Sequence, residues 1–317
     1  LQFDAATQVR CIRGNTNKVM KTSISRRSAM KHVAAVSVIA ATASSLAQRL
    51  FAAQAAAPGM KGRINHSVCK WCYPKISLED LCVAGKEMGL TSVELLNPSD
   101  FPTLKKHGLV CAMVSNPVIE GLGGIERAWN RVEHHDRLVQ AYEQRIKEVA
   151  DAGLTNLICF SGNRAGLDDE KGIENCALGL KRIMASAEKQ KINIVMELLN
   201  SRVNHKDYQC DHTEWGVELC KKIGSERFKL LYDIYHMQIM EGDLIVRIKK
   251  FNPYIAHYHT GGVPGRNEID ETQEINYPAV MKAIVETGFK GHVAQEFIPK
   301  REDKIASLKQ GVQICDV

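Results

Sequence analysis

Four residues with a carboxylate or an imidazole close short apolar runs in the second half of this chain: Glu197 in IVMELLN, Asp233 in LLYDIYHMQ, His259 in IAHYHTGG and Glu296 in HVAQEFIP. They stand 36, 26 and 37 residues apart. Each gap holds about one loop, one helix and one strand, so the pattern reads as repeated strand–helix units. In a parallel β/α barrel every strand of such a repeat ends on the same face, where active sites are built. The spacing therefore carries three carboxylates and one imidazole to one place.

The rest of the chain fits that reading. Short β-rich runs at 63–68, 91–96, 109–115, 155–160, 192–197, 228–233, 254–259 and 292–296 alternate with amphipathic runs. The helical runs are 78–88, 125–152, 172–190, 213–223, 243–250, 277–287 and 305–315. Eight strands close a barrel, whereas a doubly wound sheet usually has fewer. The expected fold is an α/β (β/α)8 TIM barrel over residues 58–317, about 260 residues where such barrels run to about 250. Gly89, Gly153, Gly224 and Gly288 stand just past helix ends, as left-handed caps would.

Residues 1–57 read as an export leader. Ser25-Arg26-Arg27-Ser28-Ala29-Met30-Lys31 is a twin-arginine pattern, residues 34–46 are small and apolar, and Ala53-Gln54-Ala55 offers a small-residue cleavage site. The apolar stretch is too short for a stable membrane span. The expected destination is the periplasm by the twin-arginine route. The leader holds eight Lys/Arg and one acid, Asp4, so without it the chain's net +6 falls to about −1. The basic balance belongs to the leader and makes no case for nucleic acid as a partner.

Ten cysteines include Cys11 in the leader. An odd number is left in the barrel, so not all can pair. Cys111 and Cys159 lie in apolar runs and read as small core residues. Cys69-Lys70-Trp71-Cys72 is a lone CxxC, a weak metal signal without a second pair.

A carboxylate ending a buried strand is costly unless it is paired or bound to a metal. Gathering four such groups calls for a cation that offsets their mutual repulsion. Hard oxygens and one imidazole suit Mn²⁺ or Mg²⁺, with Co²⁺ a further candidate. Such a metal acts as a Lewis acid on neighbouring carbonyl and hydroxyl oxygens, acidifying the C–H between them and stabilising an enediolate. Glu197 and Glu296, three strands apart, are the natural acid/base pair. The partner is then a small hydroxy-carbonyl or sugar substrate.

The motifs MELLN, DIYHMQ, AHYHTGGVPGR, EINYP and QEFIP resemble, in order and spacing, the xylose-isomerase-like barrel superfamily. Within it they are most similar to the hydroxypyruvate isomerase group, with sugar 3-epimerases as cousins. The resemblance covers most of residues 63–301. It implies metal ligands Glu197, Asp233, His259 and Glu296, with the two glutamates as acid and base. It places His236 beside the metal on the substrate side and makes Arg266 a binder of a substrate carboxylate or hydroxyl. Asn200 matches the family on the loop after Glu197. Lys300, close after the last ligand, is a candidate to reach an anionic substrate, with a solvated lysine as the alternative. Hydroxypyruvate isomerases tend to carry Gln where this chain has His259, as sugar epimerases do.

The expected reaction is a metal-dependent aldose–ketose isomerisation, hydroxypyruvate to tartronate semialdehyde. The alternative is a ketose 3-epimerase or another sugar isomerase. A non-catalytic sugar-binding barrel is a third reading, and a homo-oligomer is compatible with the chain. Trp71 is a candidate pocket wall, Glu94 a candidate substrate contact or barrel support, and His257 a core histidine or a partner of the ligands.

Overall fold

The computed structural model describes residues 59–317. The leader expected over residues 1–57 lies outside the described residues. In chain order the elements are β1 (Asn65–Cys69), α1 (Leu78–Glu87), β2 (Ser92–Glu94), α2 (Phe101–Lys106), α3 (His135–Asp151), β3 (Asn156–Cys159), α4 (Asp169–Gln190) and β4 (Asn193–Glu197). Then come α5 (Thr213–Ile223), β5 (Phe228–Asp233), α6 (Ile234–Met240), α7 (Leu244–Phe251), β6 (Ile255–Thr260), α8 (Tyr277–Glu286), β7 (His292–Gln295) and α9 (Lys304–Cys315).

Seven strands pair in parallel in the order β2-β1-β7-β6-β5-β4-β3. Parallel bridges Ser92↔Val110, Leu96↔Val114 and Val114↔Leu157 link the two outer strands through residues 110–114. The fold is TIM-barrel-like, seven parallel strands with the gap between the outer two spanned by those bridges. The expectation of eight regular strands needs correction here, because 109–115 forms isolated bridges instead of a strand. Neighbouring side chains take the backbone groups that a ladder would use. Ala112 N donates to Ser92 Oγ at 2.9 Å, and Asn156 Nδ2 donates to the Ala112 carbonyl at 2.8 Å.

Alternation along the strands sorts side chains between the barrel interior and the helix layer. Register aligns Leu231 with His257 and Asp233 with His259, so these four share one face. Tyr232 and Tyr258 take the other face, where Tyr258 meets Phe289 edge-on at 4.9 Å. The helices bury one stripe each. In α3 it is Leu138, Tyr142, Ile146 and Val149, at the three- and four-residue spacing of a helix face. Each fully buried side chain of that size contributes about 1.5–3 kcal/mol.

Caps fix where the helices begin and end. Ser77, Asp168, Asn276 and Asp303 accept backbone N–H groups at the starts of α1, α4, α8 and α9. Gly89, Gly153, Gly224 and Gly288 all have positive φ, as expected of left-handed ends. The helix expected over 125–152 begins only at His135. Upstream, the backbone is committed elsewhere: Asn163 N donates to Glu126 O and Asn130 N donates to Ser161 O, both at 2.8 Å. The nine described cysteines are buried and free, including Cys69 and Cys72. Among the described residues no helix is long and apolar enough to cross a membrane.

Candidate metal centre

Glu197 ends β4, Asp233 ends β5, His259 lies one residue short of the end of β6, and Glu296 follows β7 directly. These four strands are neighbours in the sheet. One ligand atom from each residue lies within 4.8 Å of all the others. All four side chains are buried, Glu197 being the most exposed at 5%.

Asp233 does two things at once. Its Oδ1 accepts the His236 backbone N–H at 3.0 Å and so caps α6, leaving Oδ2 turned to the cluster. Glu296 is tied by its backbone, its N–H donating to Thr260 O at 3.1 Å. Trp71 Nε1 donates to Glu296 Oε1 at 2.7 Å. The Trp71 ring is 44% exposed, so it stands at the mouth with one edge in the site.

His259 is held from below. Its Nε2 lies 2.9 Å from Glu94 Oε1. Its Nδ1 lies 2.6 Å from Glu296 Oε2 and 3.5 Å from Glu197 Oε1, with hydrogen-bond geometry to neither. A neutral imidazole donating from Nε2 presents a bare lone pair at Nδ1. That lone pair faces two carboxylates, and a positive charge between them reconciles all three. The donor set of three carboxylates and one imidazole therefore fits a divalent cation.

Arg266 supplies positive charge at the edge of this cluster. Its Nη2 donates to Asp233 Oδ2 at 2.8 Å and also to Glu296 Oε2. Its Nε donates to the Glu296 carbonyl at 3.0 Å. The guanidinium sits between the Trp71 and Tyr235 rings, 5.5 and 5.2 Å from their centroids. The loop that delivers it is tightly folded: Tyr277 Oη donates to Gly261 O at 2.7 Å and accepts from Gly261 N at 2.8 Å. Arg266 itself has φ +58°, in the left-handed region.

The electrostatics split the carboxylates. Burial raises Glu197 above the usual range, assisted by the charge of Glu296 and opposed by His259. Burial likewise pushes Asp233 up to about 7 against the pull of Arg266. Burial would also raise Glu296, but Arg266 and His259 outweigh it and hold that group well below the ordinary carboxylate range. Two glutamates across one site with opposite shifts are suited to proton transfer in opposite senses.

The structure brings His236 and Asn200 to the rim. His236 Nδ1 accepts from Asn200 N at 3.0 Å, and its ring is buried. Its proton then belongs on Nε2, which lies 2.7 Å from Arg266 Nη1, so two donors oppose each other there. Asn200 Oδ1 accepts from the N–H groups of Val203 and Asn204 and shapes the loop after β4. The His205 ring packs against that of His236, centroids 5.3 Å apart and planes tilted by 56°. Lys300 is not drawn in. Its side chain is exposed, while its backbone N–H donates to Glu268 at 2.9 Å.

The sequence singles out Glu94 and His257 in the floor of the site, but neither Ser67 nor the bonds that join the three. Ser67 on β1 and Glu94 on β2 bond each other at 2.6 Å, and Glu94 also meets His257 at 2.7 Å. The available signal was alternation: Glu94 ends a strand, as the other acids do, and His257 lies two residues before His259.

The family described as "Xylose isomerase-like TIM barrel" matches residues 84–315. A protein of Escherichia coli (strain K12) named hydroxypyruvate isomerase is 35% identical over 228 residues, 68% of this chain and 85% of that protein. A 2-oxo-tetronate isomerase of Cupriavidus necator is 31% identical over 115 residues, 36% of this chain. Across the first relatives matched, the chain spans only 41–50% of their own length. Among solved structures, a family 2 AP endonuclease from Brucella melitensis superposes with TM-score 0.70 at 23% identity, covering 79% of this chain and 98% of that one.

Proposed function

This chain belongs to the xylose isomerase-like TIM barrel family, and on that premise we propose that it is a metal-dependent isomerase of small hydroxy-carbonyl compounds. The substrate we propose is hydroxypyruvate, converted to tartronate semialdehyde. The activity printed for the E. coli relative, which the chain spans over most of its length, supports that choice. The observation that carries the reading is the buried convergence of Glu197, Asp233, His259 and Glu296, with His259 Nδ1 turned towards the carboxylates.

Those four residues would hold one divalent cation, Mn²⁺ or Mg²⁺. When bound, the cation supplies Lewis acidity to adjacent carbonyl and hydroxyl oxygens of the substrate. The protein's own groups do the rest. One of the two glutamates removes a proton from the hydroxymethyl carbon of hydroxypyruvate, leaving an enediolate. The other returns a proton to the neighbouring carbon while the proton of the hydroxymethyl oxygen passes to the former carbonyl oxygen, so an aldehyde and a secondary hydroxyl result with no net change in atoms. Glu197 and Glu296, which converge with the other two ligands, take these two roles between them. Arg266 binds the substrate carboxylate, which suits a guanidinium fork. His236 lines the substrate side, where its Nε2 lies 2.7 Å from Arg266 Nη1. Trp71 and Tyr235 wall the site and limit water.

A second reading is a ketose 3-epimerase, favoured by His259 at the position where hydroxypyruvate isomerases tend to carry Gln. The leader at residues 1–57 belongs to the proposal as well, and with it delivery to the periplasm. The test is proton exchange in D₂O with Mn²⁺ present, followed by NMR. Metal-dependent deuterium in hydroxypyruvate with tartronate semialdehyde appearing supports the first reading. Label at C3 of a ketohexose establishes the second, and no label in either substrate sinks both.

A further inference from the structure

Glu94 is fully buried on β2, separated from His259 on β6 by the two strands β1 and β7, and the catalytic reading gives it no role. It is nonetheless the most heavily bonded carboxylate near the cluster. Ser67 Oγ donates to its Oε2 at 2.6 Å. His257 Nε2 and His259 Nε2 lie 2.7 and 2.9 Å from its Oε1. An ionised carboxylate has no proton to give, so the ring nitrogens that face it carry theirs. The His259 tautomer follows from that contact, and so does the direction in which its free lone pair points.

We propose that Glu94 is the positioning residue of the cluster: it holds the Nε2–H of His259 and thereby presents Nδ1 to a cation among Glu197, Asp233 and Glu296. This rests on the reading that a divalent metal binds there. The chemistry is general, because a ligating imidazole works best when its second nitrogen donates to a carboxylate that fixes ring and tautomer. Ser67 anchors the far oxygen of Glu94, and His257 crosses the same oxygen as His259, its ring 85° to the His259 ring. The carboxylate therefore cannot turn away without breaking three bonds.

A rival use of the same atoms is a second metal site. Cys69 Sγ lies 3.8 Å from His259 Nε2 and 3.9 Å from Glu94 Oε1. Both Glu94 oxygens are already engaged, Oε1 by His257 Nε2 and His259 Nε2 and Oε2 by Ser67 Oγ, and the Cys69 thiol stands farther off than any of these partners. The geometry favours the orienting bond.

Two measurements test this. The first is a long-range ¹H–¹⁵N spectrum of histidine-labelled wild-type protein with Mg²⁺, with His259 assigned by difference against His259→Gln. We expect Nε2 protonated and Nδ1 bare; the opposite tautomer overturns the proposal without any variant of Glu94. The second is the Mn²⁺ dissociation constant of wild type, Glu94→Gln and Cys69→Ser, each checked for native circular dichroism. Glu94→Gln should weaken binding about 10–100-fold, with one ion per chain throughout and Cys69→Ser near wild type. Unchanged binding in Glu94→Gln overturns the proposal alone. Two ions in wild type, one of them lost in both variants, would make Glu94 a ligand and overturn it too. No divalent binding by the wild type overturns the metal reading itself, and the proposal with it.

Discussion

The Arg266 guanidinium lies against the Asp233 carboxylate, Nη2 to Oδ2 at 2.8 Å, within the ring of side chains that converges on His259. A fixed positive charge thus shares its anionic partners with the proposed metal. Removing one partner of a buried ion pair costs about 3–5 kcal/mol, because the other charge is left uncompensated. Metal-free Arg266→Met should therefore melt lower, by on the order of 10 °C. Mn²⁺ should raise its melting temperature by more than it raises that of the wild type. Thermal unfolding of both proteins with and without Mn²⁺ checks this, and equal metal-induced shifts would count against shared partners.

Glu197→Gln and Glu296→Gln keep side-chain shape and remove the ionisable group. Each should lower turnover by at least about 10²–10⁴-fold, the range of general acid–base catalysis. Circular dichroism should stay native. A variant with near-normal rates removes its residue from the acid/base pair.

Gly262 folds the Arg266 loop back on itself. A Cβ there would run into the Glu268 carbonyl oxygen and would stand 2.9 Å from that of Asn267. Both obstacles are backbone, so they cannot swing aside. Gly262→Ala should destabilise by about 1–3 kcal/mol and should reduce turnover through displaced Arg266. Urea unfolding together with a steady-state assay reads both effects.

Acid should act on Asp211 as well as on the site. Burial would raise its carboxyl, but hydrogen bonds from His212, Arg164 and Ser201 outweigh it and bring the group down to about 2. A carboxyl lowered on folding stabilises above its unfolded value near 4, and that stability drains away as pH falls towards 2. The amount is about 2 kcal/mol. Wild type should lose urea resistance between pH 4 and 2 more steeply than Asp211→Asn, whose partner cannot titrate. Parallel slopes for the two proteins would refute the assignment.

The strand ends were readable because two requirements coincide at each of them. A polar group closing an apolar run is both a boundary and a chemical commitment, as at Glu197 and Asp233. Periodicity was less informative where tertiary contacts replace local ones. At Ala112, side chains from Ser92 and Asn156 interrupt the ladder, so a strand-like run yields only bridges. The helix α6 went unread because Ile234, Tyr235, His236, Met237 and Met240 are all buried, leaving no polar face to mark its period. Of the two expectations for Lys300, a reach to an anionic substrate or a solvated side chain, the exposed side chain agrees with the second, because closeness in sequence to Glu296 says nothing about direction. The partnership of Glu94 with two histidines lies 163 and 165 residues away along the chain. No local pattern reports a contact of that range.

Asp233 divides its two oxygens between the first turn of α6 and the cluster. Assembly of the one is therefore assembly of the other. The Arg266 guanidinium on Oδ2 holds Oδ1 in place over the His236 amide, and unwinding that turn releases the carboxylate. The His236 amide proton is thus a built-in clock for the site: its exchange with solvent measures how often the cluster comes apart while the rest of the barrel stays closed.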